Sequence, residues 1–323
     1  MKKNTVLVWV IGIVSAGMVI FTAAGIAAGN FFYNLAINPK TDKSVVFDAP
    51  SNSEGSRSGE KEDTLQRDQE WFFRNEYTER YIQSFDNLTL HAYELTHRDD
   101  SKKWAVLCHG YTSDALRMVT QGRQFYAMGY NLLLPDARGH GKSGGDYIGM
   151  GWPDRKDVTA WINTLVEEHG AIQIAVYGVS MGGATVMMVS GEELPPQVKA
   201  IVEDCGYTSA WDVFAYQLKT IFGLPAFPVM NFSSMVTKIR AGYTLEEASA
   251  LEQVRKTSVP IMFIHGDADT FVPFYMLDEV YDAASSPKRR LVVPGAAHGM
   301  AAIVMGDAYW TEVGDFLGNY IED

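Results

Sequence analysis

Gly178-Val179-Ser180-Met181-Gly182 decides the fold, because of what stands on either side of it. A short apolar run at 172–177 precedes it and Gly183-Ala184 opens an apolar stretch after it, so the pentapeptide marks a strand-to-helix junction. On such a turn the serine hydroxyl stands clear of the backbone, and the flanking glycines keep Cβ atoms out of the way. G-x-S-x-G by itself is weak, since an ordinary glycine-rich helix start also matches it. The junction is what makes Ser180 the candidate nucleophile.

Outward from that point the pattern repeats. Apolar runs at 105–108, 131–134, 172–177, 200–202, 260–264 and 291–293 alternate with helical periods such as Val158, Trp161, Ile162 and Leu165. Two further runs at 81–85 and 89–95, separated by Asp86-Asn87, predict an opening hairpin. The alternation predicts an α/β fold in which a mostly parallel sheet carries helices on both faces, with ligands bound at the carboxyl ends of its strands. Residues 207–256 are too long for a simple crossover and predict an inserted helical lid. Its helices are expected over 210–222 and 230–241, with a third opened by the capping-box spacing of Thr244 and Glu247.

A serine needs a base to take its proton, and on this fold the base comes last in the order Ser, Asp, His. His298 is the only histidine downstream of Asp269, and it follows a strand in Gly295-Ala296-Ala297-His298-Gly299. Asp269, just past the preceding strand, is the preferred third member; Asp267 lies too near the strand, and Asp204 at another strand end is a rival. Backbone N–H groups of Met181 and Tyr111 are the candidate oxyanion donors. Trp211, Phe214 and Leu218, with Ile221, form one helical stripe that either packs the lid onto the body or walls an acyl pocket.

The chain of 323 residues has a formal charge of −12 and no basic run, which excludes nucleic acid as a partner. Its two cysteines, Cys108 and Cys205, show no zinc-type spacing, so no metal is expected. Gly139-His140-Gly141-Lys142-Ser143-Gly144 matches a dinucleotide fingerprint as a string, but no helix opens there. The amino terminus differs from all this. After Lys2 and Lys3 no charge occurs before Lys40, and 6–28 is almost continuously apolar. It reads as a transmembrane signal anchor, with a cleaved signal peptide as the alternative. Residues 1–5 would then be cytoplasmic and the catalytic domain extracytoplasmic, at the cell membrane. A flexible polar stalk is expected over 29–69, followed by the folded domain over 70–323.

Together H-G-Y (109–111), D-A-R-G-H-G-K-S (136–143), G-V-S-M-G-G (178–183), H-G-D-A-D-T-F-V-P (265–273) and G-A-A-H-G (295–299) resemble the α/β-hydrolase superfamily from about Glu79 onward. Within it the chain is similar to bacterial membrane-anchored esterase or lipase-like serine hydrolases. The resemblance implies a core of eight strands, no cofactor, and packing roles for Arg138 and His140. It also implies a strand between those ending at Cys108 and Cys205, too wide a gap for a disulfide. An acyl ester or lipid-like small molecule is the expected substrate, cleaved through an acyl-enzyme. Peptidases, thioesterases and acyltransferases share the triad, and a non-catalytic surface domain is the reading from another class.

Overall fold

The computed structural model describes residues 2–47, 58–170 and 172–322. Three helices precede the sheet: α1 (Lys2–Ala36), α2 (Ser44–Phe47) and α3 (Ser58–Phe73). Then follow β1 (Tyr77–Gln83), β2 (Thr89–Leu95), β3 (Lys103–Cys108), α4 (Val119–Ala127), β4 (Asn131–Pro135), α5 (Asp154–His169), β5 (Gln173–Val179), α6 (Met181–Val189) and β6 (Val198–Asp204). Helices α7 (Ala210–Phe222), α8 (Ala226–Ala241) and α9 (Ala250–Val254) are inserted before β7 (Ile261–Gly266). The chain ends with α10 (Tyr275–Ala283), β8 (Lys288–Val293), α11 (Ala301–Met305) and α12 (Asp307–Leu317).

The eight strands lie in the order β1-β2-β4-β3-β5-β6-β7-β8. Only the β1–β2 and β2–β4 pairs are antiparallel. Strands β4 and β7 are buried along their whole length, as continuous apolar runs covered on both faces require. One core cluster joins the sheet to α5, α6, α9 and α10; the other joins it to α4, α12 and Phe72 of α3. From β3 the chain steps outward to β4 and then returns to β5 on β3's other side. That reversal opens a crevice at the carboxyl ends of β3 and β5, where Ser180 stands. Cys108 and Cys205 end strands separated by β5 and are both free and buried.

The loop after β4 is held by charge. Arg138 is completely buried; its Nε and Nη2 donate to the two carboxylate oxygens of Asp157 at 2.8 Å each, and Nη1 donates to Asp86 at 2.8 Å. Asp136 accepts from the backbone N–H groups of Ala115 and Lys142 and pairs with His91 Nδ1 at 2.7 Å. Gly141 is needed beside it, since a Cβ there would fall 2.1 Å from Asp136 Oδ1. Burial pushes the Asp157 carboxyl up to about 7, and the guanidinium opposes that rise. Arg138→Met therefore strands a buried carboxylate and should cost about 3–5 kcal/mol. The melting temperature of the full chain should drop by roughly 10 °C and recover in part when Asp157→Leu is added. An unchanged melting temperature would refute the clamp.

Three expectations are corrected here. The stalk over 29–69 is not free at either described end: Tyr33 and Ile37 are buried in the main core, and Leu65, Asp68 and Phe72 of α3 pack on the body. Within 29–47 the apolar side chains of Phe32, Tyr33 and Ile37 have a core to pack into, while Phe31 stays exposed. The serine- and glycine-rich centre of that range lies largely outside the described residues. Thr244 and Glu247 do make both capping-box bonds, at 2.7 and 3.1 Å, but they close a single turn. The third inserted helix starts at Ala250, capped by Ser249, whose hydroxyl accepts from Glu252 N. Helix α8 begins at Ala226, four residues before the expected start at 230.

Candidate active site

Ser180 sits between β5 and α6 with φ 59° and ψ −117°, a strained conformation for a residue with a Cβ. The surroundings enforce it. A Cβ at Gly178 would fall 2.1 Å from Gly182 O, and one at Gly182 would fall 2.0 Å from Cys108 O. Only glycines let α6 lie this close to β3 and β5. The Ser180 N–H donates to Asp204 O at 2.8 Å, which pins the turn to the end of β6.

His298, in the loop after β8, reaches over this turn. Its Nε2 is 2.8 Å from Ser180 Oγ, and its Nδ1 is 2.7 Å from Asp269 Oδ2. Asp269 is buried after β7; its Oδ1 accepts from the N–H groups of Phe271 and Val272, each at 2.9 Å. Burial opposes its ionisation, yet the His298 charge and hydrogen bonds from His265 and His298 hold its carboxyl well below the usual range. The Phe271 ring lies 4.9 Å from the His298 ring, at 31°. Asp204 is elsewhere engaged: Tyr309 OH donates to its Oδ2 at 2.7 Å, and burial raises its carboxyl despite that bond. Asp267 accepts from Gly295 N and braces the loop that carries His298.

Gly110 and Tyr111 follow β3 against the nucleophile, where a Cβ on Gly110 would be 3.5 Å from Ser180 Cβ. Met181 opens α6, so its N–H is one of the donors left without an intrahelical partner at a helix start. Both candidate donors flank Ser180.

A cavity of about 840 Å³, mouth included, leads to Ser180. Phe214, Leu218 and Phe222 of α7 line it, as do Tyr111 and Phe271, and among the described residues no charged residue does. Trp211, expected on this wall, is not among the residues that line it; it packs half-buried against the core. Sequence reasoning missed the opposite wall. Phe32, Tyr33 and Ala36 at the end of α1 and Ile37 just after it complete it, and Tyr111 OH donates to Ala36 O at 2.7 Å. It also missed His265, whose Nε2 lies 2.9 Å from Val272 O and 3.2 Å from Asp269 Oδ2, although the motif contained it.

Among the described residues one group has side chains of metal-binding type, Cys205 with Asp269 and His298. Both His298 ring nitrogens are already engaged, and burial keeps the Cys205 thiol well above its usual value, so the group suits proton relay better than an ion.

The model for the family described as serine aminopeptidase, S33, matches residues 99–213. A solved esterase of Pyrococcus furiosus superposes on 78% of this chain and 95% of its own, with a TM-score of 0.62 at 25% identity. The chain belongs to the α/β-hydrolase superfamily. It is an esterase-like α/β hydrolase. Among its relatives, the monoacylglycerol lipase of Mycolicibacterium smegmatis is 27% identical over 232 residues, 62% of this chain and 82% of that one. The uncharacterised protein YqkD of Bacillus subtilis is 27% identical over 222 residues, 68% of this chain and 72% of that one. In this α/β hydrolase α1 also has the length and hydropathy to cross a membrane over Leu7–Ala36.

Proposed function

We propose that this α/β hydrolase cleaves carboxylic esters of apolar acyl groups through an acyl-enzyme. Ser180 Oγ attacks the carbonyl while His298 Nε2 takes its proton and Asp269 holds the ring and offsets the imidazolium charge. The N–H groups of Met181 and Tyr111 receive the oxyanion. His298 then returns the proton to the departing alcohol, and a water activated by the same nitrogen releases the acid. The observation that carries this reading is a cavity, lined by no charged side chain among the described residues, that ends on a serine hydroxyl 2.8 Å from an imidazole nitrogen.

The family description brings in a second reading, an aminopeptidase. Such an enzyme needs an anionic group to hold the substrate's terminal ammonium, and no carboxylate lines this cavity among the described residues. Acyl chains suit those walls better. Helix α1 is read as an uncleaved anchor, with Lys2 and Lys3 on the cytoplasmic side and the hydrolase domain outside. Support comes from the helix's own packing: cleavage near Gly29 would remove Gly25 and Phe21, both of which lie against Phe232. The inserted helices are read as a lid over Ser180.

The test is a panel of acyl esters, thioesters and aminoacyl anilides. With esters, kcat/KM should rise over the first few acyl carbons by up to about fourfold per methylene, the equivalent of about 0.8 kcal/mol. Phe214→Ala should flatten that rise. Cleavage of aminoacyl anilides with no turnover of any ester would move the assignment to a peptidase.

A further inference from the structure

The helix that supplies one wall of the cavity, α1, runs beside α8, which also lines it through Met230, Ser233 and Thr237. Phe232 of α8 meets Phe21 with ring centroids 5.8 Å apart, and a Cβ on Gly25 would fall 2.1 Å from the Phe232 ring. Four residues further along α1, a Cβ on Gly29 would fall 2.6 Å from Phe232 O and 3.1 Å from Val236. Further still, the Arg240 guanidinium lies 4.0 Å over the Tyr33 ring and donates to Asn34 Oδ1 at 3.0 Å. Partners thus advance together, so the helices are parallel. Gly25 and Gly29 form a G-x-x-x-G face that lets the backbones approach, and here it is used on α8.

Parallel packing sets α8 at a defined depth relative to the anchor. The Phe232 backbone lies against Gly29 while its ring reaches back to Gly25 and Phe21, and Phe227 is five residues earlier, so Phe227 stands about 7 Å further into the apolar span than Phe232. The sequence around it is suited to that depth. No charged residue occurs between Lys219 and Lys238, and Phe227 is 72% exposed, with Leu224 exposed before it and Met235 exposed about two turns further along α8. Charge resumes at Lys238 and Arg240, level with the Phe31-Phe32-Tyr33 cluster, the arrangement expected at a membrane–water boundary. An exposed apolar surface continuous with a spanning helix has one fitting occupant, the hydrocarbon of the bilayer.

We propose that α8 and the turn joining it to α7 dip into the outer part of the membrane beside α1, and that the cavity between them takes acyl lipids directly from that leaflet. This rests on the anchor and ester-hydrolase readings and narrows the substrate to membrane-resident acyl esters. Phe32 and Phe222, whose ring centroids lie 5.4 Å apart, would then stand on the acyl path, with Ser180 at its inner end.

The full chain in phosphatidylcholine vesicles tests it. A polarity-sensitive fluorophore on Phe227→Cys should emit blue-shifted light and be quenched several-fold by nitroxide-bearing lipid, as should one on Phe21→Cys. Glu193→Cys, exposed before β6 at the opposite edge of the sheet, should give an unquenched, water-like signal. Quenching at Phe21→Cys but not at Phe227→Cys would overturn the proposal and leave the anchor standing; quenching at neither would overturn both. Phe227→Asp should lower kcat/KM by tenfold or more on a long-chain monoacylglycerol held in vesicles, and stay within twofold on a soluble butyrate ester. Equal rates on the vesicle substrate would refute the acyl route. Failure of wild type on both esters, with Phe227→Cys still quenched, would refute the ester reading and leave the insertion intact.

Discussion

Ser180→Ala should lower kcat on the best acyl ester by about 10⁵- to 10⁶-fold, to the level left by substrate binding and the oxyanion donors alone. The size follows from what the side chain does. Without Oγ there is no acyl-enzyme, and His298 has no serine proton to take at its 2.8 Å contact. The same variant should lose all labelling by a fluorophosphonate, because that reagent needs an activated hydroxyl beside an oxyanion site. The fold should be unaffected, since Ser180 holds its turn through its backbone N–H to Asp204 O and not through Oγ. Activity or labelling that survives in Ser180→Ala, with the melting temperature unchanged, would mean that another residue is the nucleophile.

Ser180 was legible because the fold writes it locally. Gly178, Gly182 and the strand before them are all within a few residues, and steric need ties each glycine to its place. His298 and Asp269 lie 118 and 29 residues from their respective partners, Ser180 and His298, yet both sit just beyond strands whose apolar runs were visible. Parallel strands deliver their carboxyl ends to one edge, so strand order alone brings such loops together. Helix α7 matched its expected limits at both ends because its signals are local too, a Ser209 cap and a left-handed Gly223.

What was not legible depends on packing between distant segments. Tyr33 and Ile37 follow an apolar run and precede polar sequence, so they read as stalk; only the parallel fit of α1 on α8 makes them a cavity wall. Trp211 shares the stripe of Phe214 and Leu218, and spacing cannot tell which end of a stripe turns into the body. Gly25 and Gly29 stand at the end of a run that reads only as anchor or signal peptide, while their partner Phe232 lies some 200 residues away. Thr244 and Glu247 made the local bonds their spacing promised, but tertiary contacts decided that the turn would not extend.

Asp269→Asn should cost about 10⁴-fold in kcat with little loss of stability, whereas Asp204→Asn should cost less than about tenfold. The contrast comes from hydrogen-bond bookkeeping at Asp269. Its Oδ1 is fixed by two N–H donors, Phe271 and Val272, so an asparagine would place its oxygen there and turn its amide nitrogen toward His298. His298 Nδ1 would then have to accept, the ring proton would move to Nε2, and the nitrogen facing Ser180 could no longer take a proton. Asp204 meets no such demand: it accepts from Tyr309 OH, and burial already biases it toward the neutral form that an amide mimics. The pH dependence separates the groups further. Asp269 has its carboxyl held below the ordinary range, so its contribution to stability is present above that range and is lost only as pH falls through the depressed value. The Asp269 carboxylate should therefore stay charged, and its contribution to the fold intact, as pH falls through the ordinary carboxylate range. Steady-state rates for both variants, with circular dichroism across the same pH range, would decide the matter. A larger loss in Asp204→Asn than in Asp269→Asn would make Asp204 the acid of the triad.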